Sequence, residues 1–294
     1  MFFKQSVSLA MLLVLGLGCR ADHILTPYPD SATEGAIKYQ PYLQIDWQGC
    51  YQSVAIGVDG QLNDGIDPRG PDIPHGGTKR ATTGKVNLRA ESDDRAGGDL
   101  IPPRPPPDHA GWQSALVACR NHKQNSQTYV RQRCNNGWCA YLYGYYFEAD
   151  LNPWEGHRHD WEHIIVWTLN DRIFYVTWSA HGGWTTDRDV DVLFKDDTHP
   201  LFVYERGPHG YNNHRIRNAV VEDDTETADW YRAPLLSLEM ARCDRVSDML
   251  QHDWESAHPE LHKDRFSKAL NNSMPEGARL NEHFDAFLSD YDHA

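Results

Sequence analysis

The densest chemistry in this chain lies in eight consecutive residues, Gly156-His157-Arg158-His159-Asp160-Trp161-Glu162-His163. Five of them carry imidazole or carboxylate groups, and Asp150 stands just upstream. Carboxylate-rich oxygen sites suit Mg²⁺ or Ca²⁺, whereas two or three imidazoles suit Zn²⁺. A run this polar is costly to bury without partners, so it predicts a metal or polar binding site rather than a strand end with scattered charges. In an extended chain His157 and His159 share one face, and Asp160 and Glu162 share the other. A loop bending into a strand would be needed to gather both sets at one point.

Enzymatic readings of the same residues are open but strained. His159-Asp160-Trp161-Glu162-His163 is near the helical zinc-protease pattern, with Asp where Glu is required. The Ile164-Ile165-Val166-Trp167 that follows favours a strand instead. A metallo-hydrolase with His-x-His ligands remains an alternative. A glycosidase using Asp160 and Glu162 fits less well, because same-face neighbours on one strand sit about 7 Å apart and the cleft would have to run along it. The chain has no Gly-x-Ser-x-Gly elbow, phosphate loop or dinucleotide fingerprint. Seven of the 16 histidines fall within 157–214, and His181, between a strand and a Gly-rich bend, is the best candidate outside the cluster. Trp161 and Trp167 read as core residues. Trp154 and Trp184, in loop contexts, are candidates to stack on a sugar or to sit at a lipid interface.

The elements that must position these groups are mainly strands. Tyr42–Ile45, Val54–Ile56, Tyr141–Phe147, Glu162–Leu169, Arg172–Trp178 and Leu201–Tyr204 are short apolar runs, with Asn170-Asp171 as the turn of one hairpin. Their spacing predicts a β-sandwich or a related two-layer β core. Residues 234–250 and 281–288 show helical spacing, which predicts flanking helices. From Pro68 to Pro107 the composition changes, and these 40 residues hold 8 of the 17 prolines. We read residues 67–108 as a Pro-rich insertion, a long loop without its own core, within a single domain over 22–294.

Composition bounds the function. The chain has 294 residues, 28 Lys+Arg against 42 Asp+Glu, and a net charge of −14. That balance argues against nucleic-acid binding and against a polybasic membrane anchor. Aromatics at 11 % with 10 Trp exclude a disordered acidic chain. Residues 1–21 read as a signal peptide, with Lys4 before the apolar Leu9–Leu15 and small residues at Gly16, Gly18 and Ala21. Export favours disulfides. Cys134 and Cys139 flank Asn135-Asn136-Gly137, which is turn chemistry, and are good partners. Cys50 and Cys119 would then pair across the Pro-rich stretch and leave Cys243 as a buried thiol on a helix, although spacing alone does not fix connectivity. Asn271-Asn272-Ser273 is a glycosylation sequon, usable in a eukaryotic secretory route.

Gly156-His157-Arg158-His159-Asp160-Trp161-Glu162 reproduces the hallmark heptapeptide of the necrosis- and ethylene-inducing-like proteins, secreted cytolysins of plant-associated microbes. Ser126–Tyr129, Tyr143–Asp150, Ile164–Trp167, Ser179–Gly182 and Leu280–Phe284 also resemble segments of that family. The likeness runs from about Ala36 to the C-terminus, outside the Pro-rich window. It implies an actinoporin-like central β-sandwich flanked by helices. It implies a divalent cation, Mg²⁺ or Ca²⁺, at Asp150, His157, Asp160 and Glu162, with Arg158 and His159 as neighbours and Trp154, His181 and Trp184 on the ligand or membrane rim. It further implies a monomeric, extracellular, non-enzymatic virulence factor that binds plant glycosylinositol phosphorylceramide headgroups, with plant immune receptors as further partners. Two departures stand out. Asp150 is one residue closer to His157 than in the commonest members, and the Cys134/Cys139 pair resembles the four-cysteine subgroup.

Overall fold

The computed structural model describes residues 24–68, 110–152, 156–180, 182–207, 213–241, 244–280 and 283–288. The 1–21 signal peptide, nearly all of the Pro-rich stretch, Trp154, His181 and Cys243 lie outside the described residues.

Two sheets face each other. The larger holds β2 (Thr128–Asn135), β3 (Trp138–Asp150), β4 (His157–Leu169), β5 (Arg172–Ala180), β6 (Gly183–Arg188) and β10 (Leu235–Ser237), in the order β10-β2-β3-β4-β5-β6. The smaller holds β1 (Tyr42–Ile45), β7 (Phe194–Lys195), β8 (His199–Arg206) and β9 (His214–Asn218), in the order β1-β8-β7 with β9 also on β8. The expected mainly β sandwich is therefore the observed architecture. Both central hairpins turn through left-handed pairs, Asn136-Gly137 (φ 50° and 78°) and Asn170-Asp171 (φ 49° and 62°). Such turns match the right-handed twist of the strands they join. Cys134 stands opposite Cys139 across the first hairpin, and both expected disulfides, Cys50–Cys119 and Cys134–Cys139, are formed.

The core explains why β3 and β4 read as nearly unbroken apolar runs. Tyr143, Tyr145, Phe147, Ile164 and Val166 face the smaller sheet and meet Phe202 and Tyr204. Their alternates Leu142, Tyr146, Ile165 and Trp167 face away, where Trp254, Leu261, Phe266 and Leu270 cover them. Both faces of the large sheet are thus buried, as in sheets layered by helices. The cover comes from α3 (Asp244–Gln251), α4 (Lys263–Ser273) and α5 (Glu276–Leu280). Two further α-helices among the described residues are α1 (Glu34–Lys38), capped by the Thr33 side chain, and α2 (Ala110–Cys119), which ends in the long-range disulfide.

Three expected elements differ. Val54–Ile56 is buried but is not a strand, since the N–H groups of Ala55 and Ile56 donate to the Tyr129 hydroxyl instead of to a ladder. Within 234–250 the helix is confined to α3, and Leu235–Ser237 pairs in parallel with β2 as β10. Residues 283–288 are not helical. The Asn135 side chain pins them by accepting from Asp285 N–H and donating to the carbonyls of Asp285 and Leu288, and Phe284 packs edge-on against Trp167. In both places the apolar spacing marked burial correctly, but hydrogen bonds to distant strands chose the backbone form.

Phe266 is fully buried at the junction of α4 with the sheet. Phe266→Ala is expected to lower unfolding free energy by about 3–5 kcal/mol, measured by urea denaturation.

Candidate functional site

The site lies where the end of β3, the start of β4 and the start of β9 meet. Asp150 pairs with His157 in the β3–β4 register, and both Asp150 and His214 N–H and ring reach across between the sheets. A cleft of about 270 Å³ opens there, lined by Asp150, His157, Asp160 and Glu162, with Trp184, Asn213, His214, His258 and Glu260 on its walls.

The heptapeptide forms this site through two backbone features. His159 has φ 60°, a left-handed conformation that is strained for a residue with a Cβ. The β3–β4 ladder runs Phe147–Asp160 and then Ala149–Arg158, with the pair between them missing. Alternation fails across that break. The expectation that His157 sides with His159 is therefore corrected: His157 joins Asp160 and Glu162 at the cleft, while His159 points to the opposite side of the sheet. There its Nδ1 meets the Tyr146 hydroxyl at 2.7 Å and its ring abuts Trp254. Arg158 is turned away too, donating to the Asp64 carbonyl at 2.8 Å. Arg158 and His159 are thus sequence neighbours of the site but do not line it. The second feature is Gly156, where a Cβ would stand 2.2 Å from the Asn152 carbonyl and 2.7 Å from that of Asp150.

Each carboxylate is held by protein donors. His214 donates its backbone N–H to Asp150 Oδ1 at 3.1 Å, and its Nδ1 lies 2.8 Å from the same oxygen. His157 Nε2 is 3.7 Å from Asp150 Oδ2. Tyr204 donates to Asp160 at 2.8 Å, and Ser179 donates to Glu162. Tyr204 is itself clamped between Phe147, with ring centroids 3.7 Å apart, and the His214 ring. His214, Tyr204 and Ser179 were not singled out from the sequence as site residues. They come from three other strands, and only the strand order brings them here.

Asp150, Asp160 and Glu162 are 1 %, 8 % and 7 % exposed. Burial, reinforced by the Asp150 charge, pushes the Asp160 carboxyl up to about 6. Burial and then the Asp160 charge hold Glu162 well above the usual carboxylate range. Burial opposes the His157 cation, yet Asp160 and Asp150 outweigh it and raise that imidazole. By contrast burial drives His163 down to about 3, and burial with Arg158 drives His159 down to about 4, so both are neutral structural groups. His163 accordingly accepts the Glu260 N–H.

Among the described residues no three His, Cys, Asp or Glu groups stand in a geometry that could hold a metal ion. The donor set still suits a hard cation. Three buried carboxylates repel one another, and among the described residues His214 Nε2 is buried with no hydrogen-bond partner. Of the expected rim residues, Trp184 lies at the cleft wall, packed against His163, and Trp154 and His181 fall outside the described residues.

In metal-free protein kept in chelator, Glu162→Gln is expected to raise the melting temperature at pH 7.5. The gain should shrink as pH falls towards 4.5, because a raised folded pKa costs stability only above the unfolded value. Gly156→Ala is expected to leave the secondary structure by circular dichroism intact while displacing His157, read as a shifted imidazole resonance.

The family described as Necrosis inducing protein (NPP1) matches residues 33–97 and 108–273. NLP effector protein 10 of Phytophthora capsici is 28 % identical over 166 residues, 54 % of this chain and 52 % of that protein. NLP effector protein 3 of Plasmopara viticola is 36 % identical over 93 residues, 30 % of this chain and 42 % of that protein. The chain thus spans about half the length of these curated relatives, or less. Among solved structures, Necrosis and Ethylene inducing Protein 2, from the causal agent of cocoa's witches' broom disease, superposes with a TM-score of 0.60 at 23 % identity, covering 85 % of this chain and 95 % of that one. NLPPya in complex with mannosamine gives 0.59 at 20 % identity, with coverage of 86 % and 97 %. The non-toxic HaNLP3 protein gives 0.58 at 19 % identity, with coverage of 85 % and 97 %. Heptapeptide, two-sheet fold and matched length together make this chain a member of the necrosis-inducing protein family.

Proposed function

We propose that this chain is a secreted cytolytic toxin. It would bind the sugar headgroup of plant glycosylinositol phosphorylceramide through a divalent cation, Mg²⁺ or Ca²⁺, and damage the plasma membrane without turning over a substrate. The observation that carries this reading is the convergence of three buried carboxylates with His157 and His214 in one open cleft at a single end of the sandwich. Asp150, His157, Asp160 and Glu162 would hold the cation. When bound, it supplies positive charge that a chain of net charge −14 otherwise lacks here, and it draws sugar hydroxyls to the cleft. Tyr204, Ser179 and His214 fix the carboxylates in place, while Trp184, His258 and Glu260 shape the wall. NLPPya, which shares the fold, has been solved with mannosamine and with glucosamine, which supports a sugar as the ligand class.

A second reading has its own support, because the non-toxic HaNLP3 protein shares the fold as well. In that reading this chain binds the glycolipid but does not lyse the membrane.

Asp160→Ala and Glu162→Ala are expected to reduce leaf necrosis and dye leakage from sphingolipid vesicles to background, with unchanged circular dichroism. Chelator should do the same to the wild type. Full activity in either variant would sink the proposal. Headgroup binding without leakage would select the second reading. One tightly held zinc with turnover of a glycan, ester or peptide would instead identify a hydrolase.

A further inference from the structure

Trp47 is 71 % exposed, in a turn whose flanking residues are closely hydrogen-bonded. It sits in the turn that follows β1. Asp46 Oδ1 accepts the N–H groups of Gln48 at 2.9 Å and Gly49 at 2.7 Å, and its other oxygen accepts from Arg206 N–H at 3.1 Å. Asp46 N–H donates to the Tyr204 carbonyl at 3.0 Å. The Arg120 guanidinium donates to the carbonyls of Asp46 at 2.6 Å and Gly49 at 2.5 Å. Cys50, the next residue, is tied to Cys119. A Cβ at Gly49 would stand 3.0 Å from the Tyr204 ring, so the turn rests on the same tyrosine whose hydroxyl holds Asp160.

These bonds fix Trp47 at the end of the sandwich that carries the cleft. Ile45 pairs with Tyr204, Arg206 pairs with His214, and His214 holds Asp150. The indole is not exposed through a lack of local order. It is a large apolar side chain displayed in water on a hydrogen-bonded turn, beside the end of the sandwich that carries the cleft. An indole prefers the interfacial layer of a bilayer, where its ring is desolvated and its N–H stays near water. A chain of net charge −14 cannot be drawn to an anionic leaflet by its overall charge. Among the described residues no helix is long and apolar enough to cross a membrane. Shallow aromatic seating is a contact that this end of the molecule can make.

We propose that Trp47 seats the protein in the interfacial layer of the bilayer, beside the headgroup cleft. The proposal rests on the membrane-binding reading above. The test uses the full chain, as wild type, Trp47→Ala and Trp47→Phe, with phosphatidylcholine–sterol vesicles containing glycosylinositol phosphorylceramide. Trp47→Ala is expected to bind these vesicles at least about ten-fold more weakly, and Trp47→Phe to retain most of the affinity. Ca²⁺ affinity by calorimetry and melting temperature should be unchanged in both. With brominated phosphatidylcholine, wild-type fluorescence should be quenched more than that of Trp47→Phe, the difference reporting the one indole removed from ten. Equal vesicle affinity of wild type and Trp47→Ala, or equal quenching, overturns the assignment of Trp47 while leaving the membrane reading standing. A wild type that binds no vesicle overturns both.

Discussion

Three carboxylates buried within reach of one another's charge are the constraint on which this site depends. Water would screen Asp150, Asp160 and Glu162 in a loop, but at the base of this cleft they are buried. Each is therefore given a donor from a different strand: His214 from β9, Tyr204 from β8 and Ser179 from β5. The price appears in the raised carboxyl groups of Asp160 and Glu162, a strain that a divalent cation would relieve. Positions that repel when empty of positive charge are well prepared to bind it.

Tyr204 joins the two halves of this arrangement. Its hydroxyl holds Asp160 on the large sheet, its ring stacks between Phe147 and His214, and its carbonyl accepts from Asp46. The small sheet thereby holds both a carboxylate of the cleft and the turn that displays Trp47. The loop after α3 acts from the other side. Trp254 and Tyr146 enclose His159, whose left-handed backbone turns His157 towards the carboxylates. A change in either layer would be felt at the cleft without touching Asp150, His157, Asp160 or Glu162.

Much of this was legible along the chain. Six short apolar runs marked strands, and five of them are strands. Turn chemistry suggested the Cys134–Cys139 disulfide, while Cys50–Cys119 was one pairing among those that spacing left open, and the structure forms both. The cluster of ligand types marked the segment, and the family resemblance implied the set Asp150, His157, Asp160 and Glu162 within it. What could not be read was side-chain parity. A period of two assumes unbroken extension, and one left-handed residue at His159 cancels it, because nothing in the letter His announces a positive φ. Arg158 and His159 were drawn into the site by adjacency, which on a strand places half the residues on the wrong face.

The chain by itself determined composition, charge, the apolar runs and the heptapeptide, since these depend on residue type and near neighbours. The tertiary structure alone decided which distant groups complete the site. His214 and Tyr204 lie more than forty residues from the heptapeptide's carboxylates, and strand pairing rather than spacing delivers them. It likewise decided that Leu235–Ser237 pairs with β2 and that Phe284 is buried without a helix, because a backbone group takes its hydrogen bond from whatever strand or side chain packing brings within reach.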